Sequence, residues 1–276
     1  MEELHYNKSL AKNYWDKRIK ESADLKAVLS YGMPDFINEA YNKWEQTAIL
    51  NLLDSVDKKC VLDVGCGIGR YVVPLVKRGA YVTAVDISTN MLERCKERCI
   101  EANIDISKVD FLNNSADELS FNGLNFDIVL CTGVFEHLHE EIILNSFRQQ
   151  LELLVDGGLH IMVVNNSKNS YLKHSKDNQF RKNQQLENGY YCGLTNLDML
   201  KQILEDNNCK IIKTFGNTLY SILRHAYVKA EKNSELSSKI SMLSDIAVDI
   251  DFEIFSENTL DQIYADQFII VSQKGV

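Results

Sequence analysis

Three glycines at alternate positions constrain this chain more than any other feature. They are Gly65, Gly67 and Gly69 in the run Val61-Leu62-Asp63-Val64-Gly65-Cys66-Gly67-Ile68-Gly69-Arg70. The run follows an apolar stretch, Cys60 to Val64, that reads as a buried strand, and it precedes a helix predicted over Tyr71 to Lys77. Glycine permits a tight turn and lets a ligand approach the main chain. The helix beyond offers unpaired amide N–H groups. The spacing argues against two phosphate-binding loops. The last glycine of a G-x-G-x-x-G fingerprint would fall at Arg70, and no G-x-x-x-x-G-K-[ST] run is present. Asp63, two residues before Gly65, would repel a pyrophosphate but could hold an ammonium group. A second β-rich run, Tyr81 to Val85, ends at Asp86. An acid at that place in a βαβ unit typically takes the hydroxyls of a ribose.

Strand and helix signals alternate along the rest of the chain. Residues 1–29 suit one or two helices, with Leu10, Tyr14 and Ile19 as spaced apolar positions, and Ser30 to Asp35 reads as a turn. Tyr41, Trp44, Ala48, Leu52 and Val56 predict an amphipathic helix over Glu39 to Val56. Helices are expected at Asn90–Ala102, Glu140–Leu154 and Thr195–Glu205, the last with Thr195 and Asp198 at capping-box spacing. Strands are expected at 109–112, 126–130, 159–164, 209–214 and 267–272, with Asp156-Gly157-Gly158 as a turn. The alternation implies an α/β fold, a doubly wound and mainly parallel sheet with helices on both faces. Residues 165–194 and 215–264 are insertions, read either as lids or substrate walls or as plain surface segments. The expected organisation is one compact domain, with N-terminal helices over 1–57 capping the site and a core over 58–276.

A ligand with a ribose, a cationic amino-acid-like part and no phosphate describes S-adenosylmethionine. The ordered runs VLDVGCGIGR, AVDIS followed by Met91, SADELSF, FDIVLCTGVFEHL and DGGLHIMV resemble the motifs of class I S-adenosylmethionine-dependent methyltransferases of the small-molecule type. The matching order covers roughly residues 58–215, and DQFIIVSQK extends it to the C-terminus. The resemblance implies a Rossmann-like sheet of seven strands, the last antiparallel. It places Gly65, Cys66, Gly67, Gly69 and Arg70 in the loop around the methionine part, with Asp63 near the amino group. It gives Asp86 the ribose and Ile87 and Met91 the adenine. Ser115 and Ala116 stand where the family often has Asp-Ala, and Cys131, Thr132 and Gly133 face the sulfonium. The residues alone would make Cys66 and Cys131 small packing groups. Tyr14-Trp15-Asp16-Lys17-Arg18 resembles the aromatic-and-arginine start of such enzymes; Tyr14 and Arg18 share a helix face, and Arg18 could meet the methionine carboxylate.

Methyl transfer needs alignment above all, and a base only when the acceptor must lose a proton. His137 and Glu136, after the fourth strand, are the candidates, with capping and loop packing as their other reading. Tyr190, Tyr191 and Cys192 are candidates for an acceptor pocket or for core. No metal is expected: Gly133 stands where a Glu-x-x-Glu-His motif would supply its first ligand, and Cys95 and Cys99 have no matching pair.

Thirty basic against thirty-nine acidic residues give a net charge of −9, which argues against a protein built to grip nucleic acid. An RNA or protein methyltransferase stays open through Lys168, Lys173, Lys176, Arg181 and Lys182, and so does a non-catalytic cofactor-binding subunit. A nicotinamide-dependent oxidoreductase is opposed by the glycine spacing. No apolar run approaches a membrane span, the N-terminus is polar, and seven scattered cysteines read as reduced thiols, so a cytoplasmic enzyme is expected. A small-molecule acceptor is the expected partner, without membrane association and with a homo-oligomer left open.

Overall fold

A computed structural model describes residues 6–22, 24–30, 33–121, 123–167, 187–216, 224, 226–230, 233–255 and 265–275. Helix α1 (Lys8–Glu21), the single turn α2 (Leu25–Val28) and α3 (Asp35–Leu52) come first. Then follow β1 (Cys60–Val64), α4 (Val72–Lys77), β2 (Tyr81–Val85), α5 (Thr89–Glu101), β3 (Val109–Leu112), β4 (Phe126–Thr132), α6 (Glu140–Glu152), β5 (Leu154–Asn165), α7 (Leu197–Asp206), β6 (Cys209–Gly216), α8 (Ser234–Phe255) and β7 (Gln267–Lys274). The sheet order is β3-β2-β1-β4-β5-β7-β6. β1 to β5 run parallel, while β7 is antiparallel to both β5 and β6. Seven mostly parallel strands with one antiparallel member match the sequence expectation.

Successive residues of each strand point to opposite faces. Val61, Val82, Ile128, Leu130, Ile161, Val163, Ile269 and Val271 pack with α3, α4 and α5 on one face. Leu62, Val64, Val129, Cys131, Met162, Val164, Phe268 and Ile270 pack with α6 and α7 on the other. Covered on both sides, the central strands are continuous apolar runs, which is why the sequence reads them as buried rather than alternating. The order reverses between β1 and β4, which both leave their C-terminal ends at one edge.

Several local expectations shift. The helix expected at Glu39 to Val56 runs from Asp35 to Leu52 instead, with Pro34 as its N-cap. α7 is capped not by Thr195 but by Asn196, whose side chain accepts from the amides of Asp198 and Met199. Asn serves this role as well as Thr, and the cap moves by one residue. β5 begins at Leu154, and Asp156-Gly157-Gly158 is absorbed as an irregularity: the register passes from Phe126/Leu154 to Ile128/Leu159. Lys168, Lys173, Lys176, Arg181 and Lys182 lie outside the described residues. Among the described residues, no helix is long and apolar enough to cross a membrane.

Gly69 adopts φ +75°, and a Cβ there would run into the Sγ of Cys95 on α5. Gly69→Ala is therefore expected to lower unfolding free energy by at least about 1–3 kcal/mol, the usual cost of a left-handed non-glycine residue. In the Gly69→Ala/Cys95→Ala double variant, the loss should be smaller than the sum of the single losses, because the clash is gone. Urea unfolding measures both; strictly additive losses would mean that the two positions do not touch.

Candidate functional site

The edge where β1, β2 and β4 end carries a pocket that opens to solvent. Gly65, Cys66, Gly67 and Arg70 line it from the loop after β1, and Asp86, Ile87 and Met91 from the end of β2 and the first turn of α5. Asn114, Ser115 and Ala116 line it after β3, and Thr132, Gly133, Val134, His137 and Leu138 after β4. Trp15 and Val28 close it from the N-terminal helices, with Tyr6 from the segment before them.

Asp86 is fixed by two main-chain donors. Its Oδ2 accepts from the Gly67 amide at 2.9 Å and its Oδ1 from the Ser88 amide at 2.8 Å. Burial pushes its pKa up to about 6 against the pull of those hydrogen bonds. The same Ser88 caps α5 through its hydroxyl, which accepts from the Met91 amide. One turn thus sets both the acid and the apolar wall beside it.

Asp63 is 1% exposed, and neither carboxylate oxygen has a hydrogen-bond partner. Burial pushes it up to about 7; Arg70 pulls it down in part, while Asp86 and Glu45 push it further up. Arg70 gives Asp63 no direct ion pair. Its guanidinium lies 3.1 Å from Glu45 Oε1 and donates from Nε to Asn42 Oδ1 at 2.8 Å, both on α3. Tyr71 donates to the same Glu45 oxygen at 2.7 Å. α3 thereby anchors the end of the glycine loop from behind.

The N-terminal helix is held over the pocket by Asp16. It accepts from Ser88 Oγ at 2.7 Å, from the Asn90 amide at 3.1 Å and from Lys12 Nζ at 2.7 Å. Partial burial would raise its carboxyl, but the hydrogen bonds from Lys12 and Ser88 outweigh that and hold it below the ordinary range. Sequence reasoning passed over Asp16. An acid directly after the aromatic pair was the only signal, and two of its three partners, Ser88 and Asn90, lie more than seventy residues away.

Most of the expected cofactor residues converge here, and five do not line the pocket: Tyr14, Arg18, Asp63, Gly69 and Cys131. Tyr14 and Arg18 stand outside it. Arg18 is buried, donates to the Tyr14 hydroxyl at 2.7 Å and to the carbonyls of Lys26 and Leu29 at 3.2 and 3.0 Å, and so ties α1 to α2. Gly69 faces Cys95, and the Cys131 thiol packs beneath β4 near the amide of Gln150. Of the two candidate catalytic residues, His137 reaches the pocket and Glu136 does not. Glu136 is buried beside Gln267, whose amide donates to its Oε1 at 3.4 Å. Tyr190 and Tyr191 pack around the lid and His137, with Tyr190 5.1 Å from the Tyr14 ring and 5.6 Å from the His137 ring. The pocket residues missed by the sequence reading include Tyr6, Trp15, Val28, Asn114, Val134 and Leu138. Tyr6, Val28 and Asn114 belong to no motif; Trp15, Val134 and Leu138 lie inside the quoted runs, which assign them no role, and tertiary packing brings all six to the pocket. Among the described residues, no cluster of His, Cys, Asp and Glu could hold a metal ion.

Residues 61–158 match a family described as Methyltransferase domain. The ubiquinone biosynthesis O-methyltransferase of Rickettsia canadensis is 27% identical over 172 residues, 62% of this chain and 66% of that protein. The protein of that name from Rickettsia akari is 32% identical over 113 residues, 40% of this chain and 42% of its own. The chain thus spans less than two thirds of the length of the curated relatives it matches. Magnesium protoporphyrin IX methyltransferase from Synechocystis, solved with bound S-adenosylhomocysteine, superposes with a TM-score of 0.61 at 16% identity, covering 97% of this chain and 99% of that one. Mycolic acid cyclopropane synthase gives 0.64 at 15% identity, covering 98% and 99%. At these identities the structural likeness shows the fold alone: a Rossmann-like sheet of seven strands.

The raised acid at Asp63 has a measurable consequence. The folded chain keeps that proton up to about pH 7, whereas the unfolded chain releases it near pH 4. The folded state holds the extra proton between these limits, so Asp63 contributes stability at low pH that is lost as pH rises through about 7. Without ligand, Asp63→Asn should be more stable than the parent at about pH 8, by on the order of a few kcal/mol, with the difference vanishing toward about pH 4. Urea unfolding across that range checks the slope; a pH-independent difference would mean that Asp63 is ionised throughout.

Proposed function

We propose, from the match of residues 61–158 to a methyltransferase-domain family and from the Rossmann-like sheet, that the protein transfers the methyl group of S-adenosylmethionine to a hydroxyl of a small-molecule acceptor. The observation that carries the reading is the pairing of two buried acids around one glycine loop: Asp86 held by main-chain amides and Asp63 with no hydrogen-bond partner. The residues fit S-adenosylmethionine. Asp63 supplies negative charge beneath the loop for an ammonium group. Asp86 takes the ribose hydroxyls, and Ile87 and Met91 form the apolar wall for the adenine. Asn114, Ser115 and Ala116 lie at the adenine edge, although Ser115 Oγ is bound to Asp117 Oδ1 at 2.5 Å, so a contact from that hydroxyl is not part of the proposal. Gly65, Cys66 and Gly67 border the amino-acid part, and Thr132 and Gly133 the reactive end.

When bound, the cofactor supplies a methyl group already activated by a sulfonium. The chain's own task is then alignment and proton management. The aromatic and apolar side of the pocket (Tyr6, Trp15, Val134 and Leu138) excludes water and holds the acceptor. His137, the imidazole that lines that side, takes the proton from the acceptor hydroxyl. Glu136 acts from behind, through the loop it anchors, and Asp16 keeps the lid helix seated on α5. The oxygen acceptor is supported by the relatives named as O-methyltransferases. The cytoplasm is the compartment that suits such an enzyme with free cysteines.

Two substitutions separate the roles. Asp86→Ala should weaken S-adenosylhomocysteine binding by about 1.5–3 kcal/mol for each charge-assisted hydrogen bond lost, or about tenfold to a hundredfold for one. Titration calorimetry with unchanged affinity would remove the ribose assignment. His137→Ala should reduce turnover by about a hundredfold or more while leaving S-adenosylhomocysteine affinity nearly unchanged. Normal turnover would leave His137 as a packing residue.

A further inference from the structure

His137 is gripped by a segment far away in sequence. Its Nδ1 lies 2.8 Å from the main-chain oxygen of Tyr191. A carbonyl oxygen can only accept, so Nδ1 must carry the proton and donate it. Neutral imidazole carries one N–H, which leaves Nε2 as its proton-accepting nitrogen. The ring plane is set by its neighbours: Trp15 packs edge-on at 4.9 Å and Tyr190 at 5.6 Å.

The segment that supplies this carbonyl is itself fastened at both ends of its span. The Gly193 amide donates to the Glu136 carbonyl at 2.7 Å, and Asn165 Nδ2 donates to the Gly193 carbonyl at 3.4 Å. At the other end, Gly189 has φ +91°, and a Cβ there would run into the Leu10 carbonyl of α1. The Tyr190 ring lies 5.1 Å from that of Tyr14 on α1, and the Tyr191 ring 6.1 Å from that of Tyr6. Residues 189–193 therefore form a strap between the lid helix and the loop that carries His137.

We infer that the main-chain carbonyl of Tyr191 is the positioning group for His137: it fixes the Nδ1–H tautomer and so makes Nε2 the nitrogen that receives the acceptor's proton. The inference rests on the reading of His137 as the base. It adds that the strap, through its seat on α1, ties the state of the lid to the protonation geometry of the ring. The bond is a property of this chain alone.

Nitrogen-15 NMR of the intact, histidine-labelled protein tests this without turnover. The chain has six histidines, and His137 is assigned as the signal lost in His137→Asn. At a pH where the ring is neutral, its Nδ1 should appear as the protonated nitrogen and its Nε2 as the unprotonated one. The reverse assignment, or rapid averaging between the two, overturns the proposal. Tyr191→Phe keeps the carbonyl and should keep the Nδ1–H tautomer. Gly189→Ala displaces the strap from α1 and should lose the single tautomer and lower kcat by roughly tenfold, about the worth of one hydrogen bond. S-adenosylhomocysteine affinity should stay nearly unchanged in that variant; weakened affinity at normal kcat would make the strap a lid support and defeat the proposal. An Nδ1–H tautomer together with full turnover in His137→Ala defeats it too, because the reading it rests on then fails. Lost turnover in His137→Ala with an Nε2–H ring removes the positioning role alone.

Discussion

The site depends on carboxylates held out of water at the end of a parallel sheet. Asp63 and Asp86 sit at the tips of adjacent strands, and Glu45 approaches from α3. Burying charge is costly unless it is paired, and the chain pairs these acids unequally. Glu45 has Arg70 and Tyr71. Asp86 has two amides. Asp63 has no hydrogen-bond partner, and Arg70 acts on it only through its field. An arrangement that keeps one carboxylate unsatisfied beside a glycine loop is poised for a cationic group, and it stores that preference as a raised pKa.

The glycine loop serves two masters, and the three glycines are not equivalent. Gly65 and Gly67 border the pocket, and a Cβ at either would meet Val134 or Val28. Gly69 borders α5 instead, where Cys95 fills the space that a side chain would need. The motif therefore encodes both an open cradle for a ligand and the close approach of a helix to the loop. A reading that assigned all three glycines to the ligand captured their spacing and only part of their use.

The lid shows how distant segments complete such a site. α1 is joined to α5 through Asp16, to α2 through Arg18 and to the 189–193 strap through Leu10 and Tyr14. Trp15 then reaches the pocket and the edge of His137. Arg18 looked in the sequence like a group for a carboxylate. The carbonyls of Lys26 and Leu29 claim it, because a buried α1–α2 junction needs a donor for carbonyls that no helix satisfies. Glu136 beside His137 likewise reads as half of a catalytic pair, yet its side chain turns back toward Gln267.

The sequence by itself determined the α/β architecture, the parallel strands around Cys60–Val64 and the acids at Asp63 and Asp86. These follow from local rules: strand periodicity, glycine conformation and charge at a strand end. The tertiary structure decided which residues face the pocket and which face away. It set Asn196 rather than Thr195 as the cap of α7, turned Cys131 and Gly69 into packing groups and brought Tyr6 and Trp15 to the rim. It also put the Tyr191 carbonyl on His137, fifty-four residues away. Such choices belong to contacts between segments remote in the chain, where the direction of a side chain is fixed by what packs against it rather than by its neighbours in sequence.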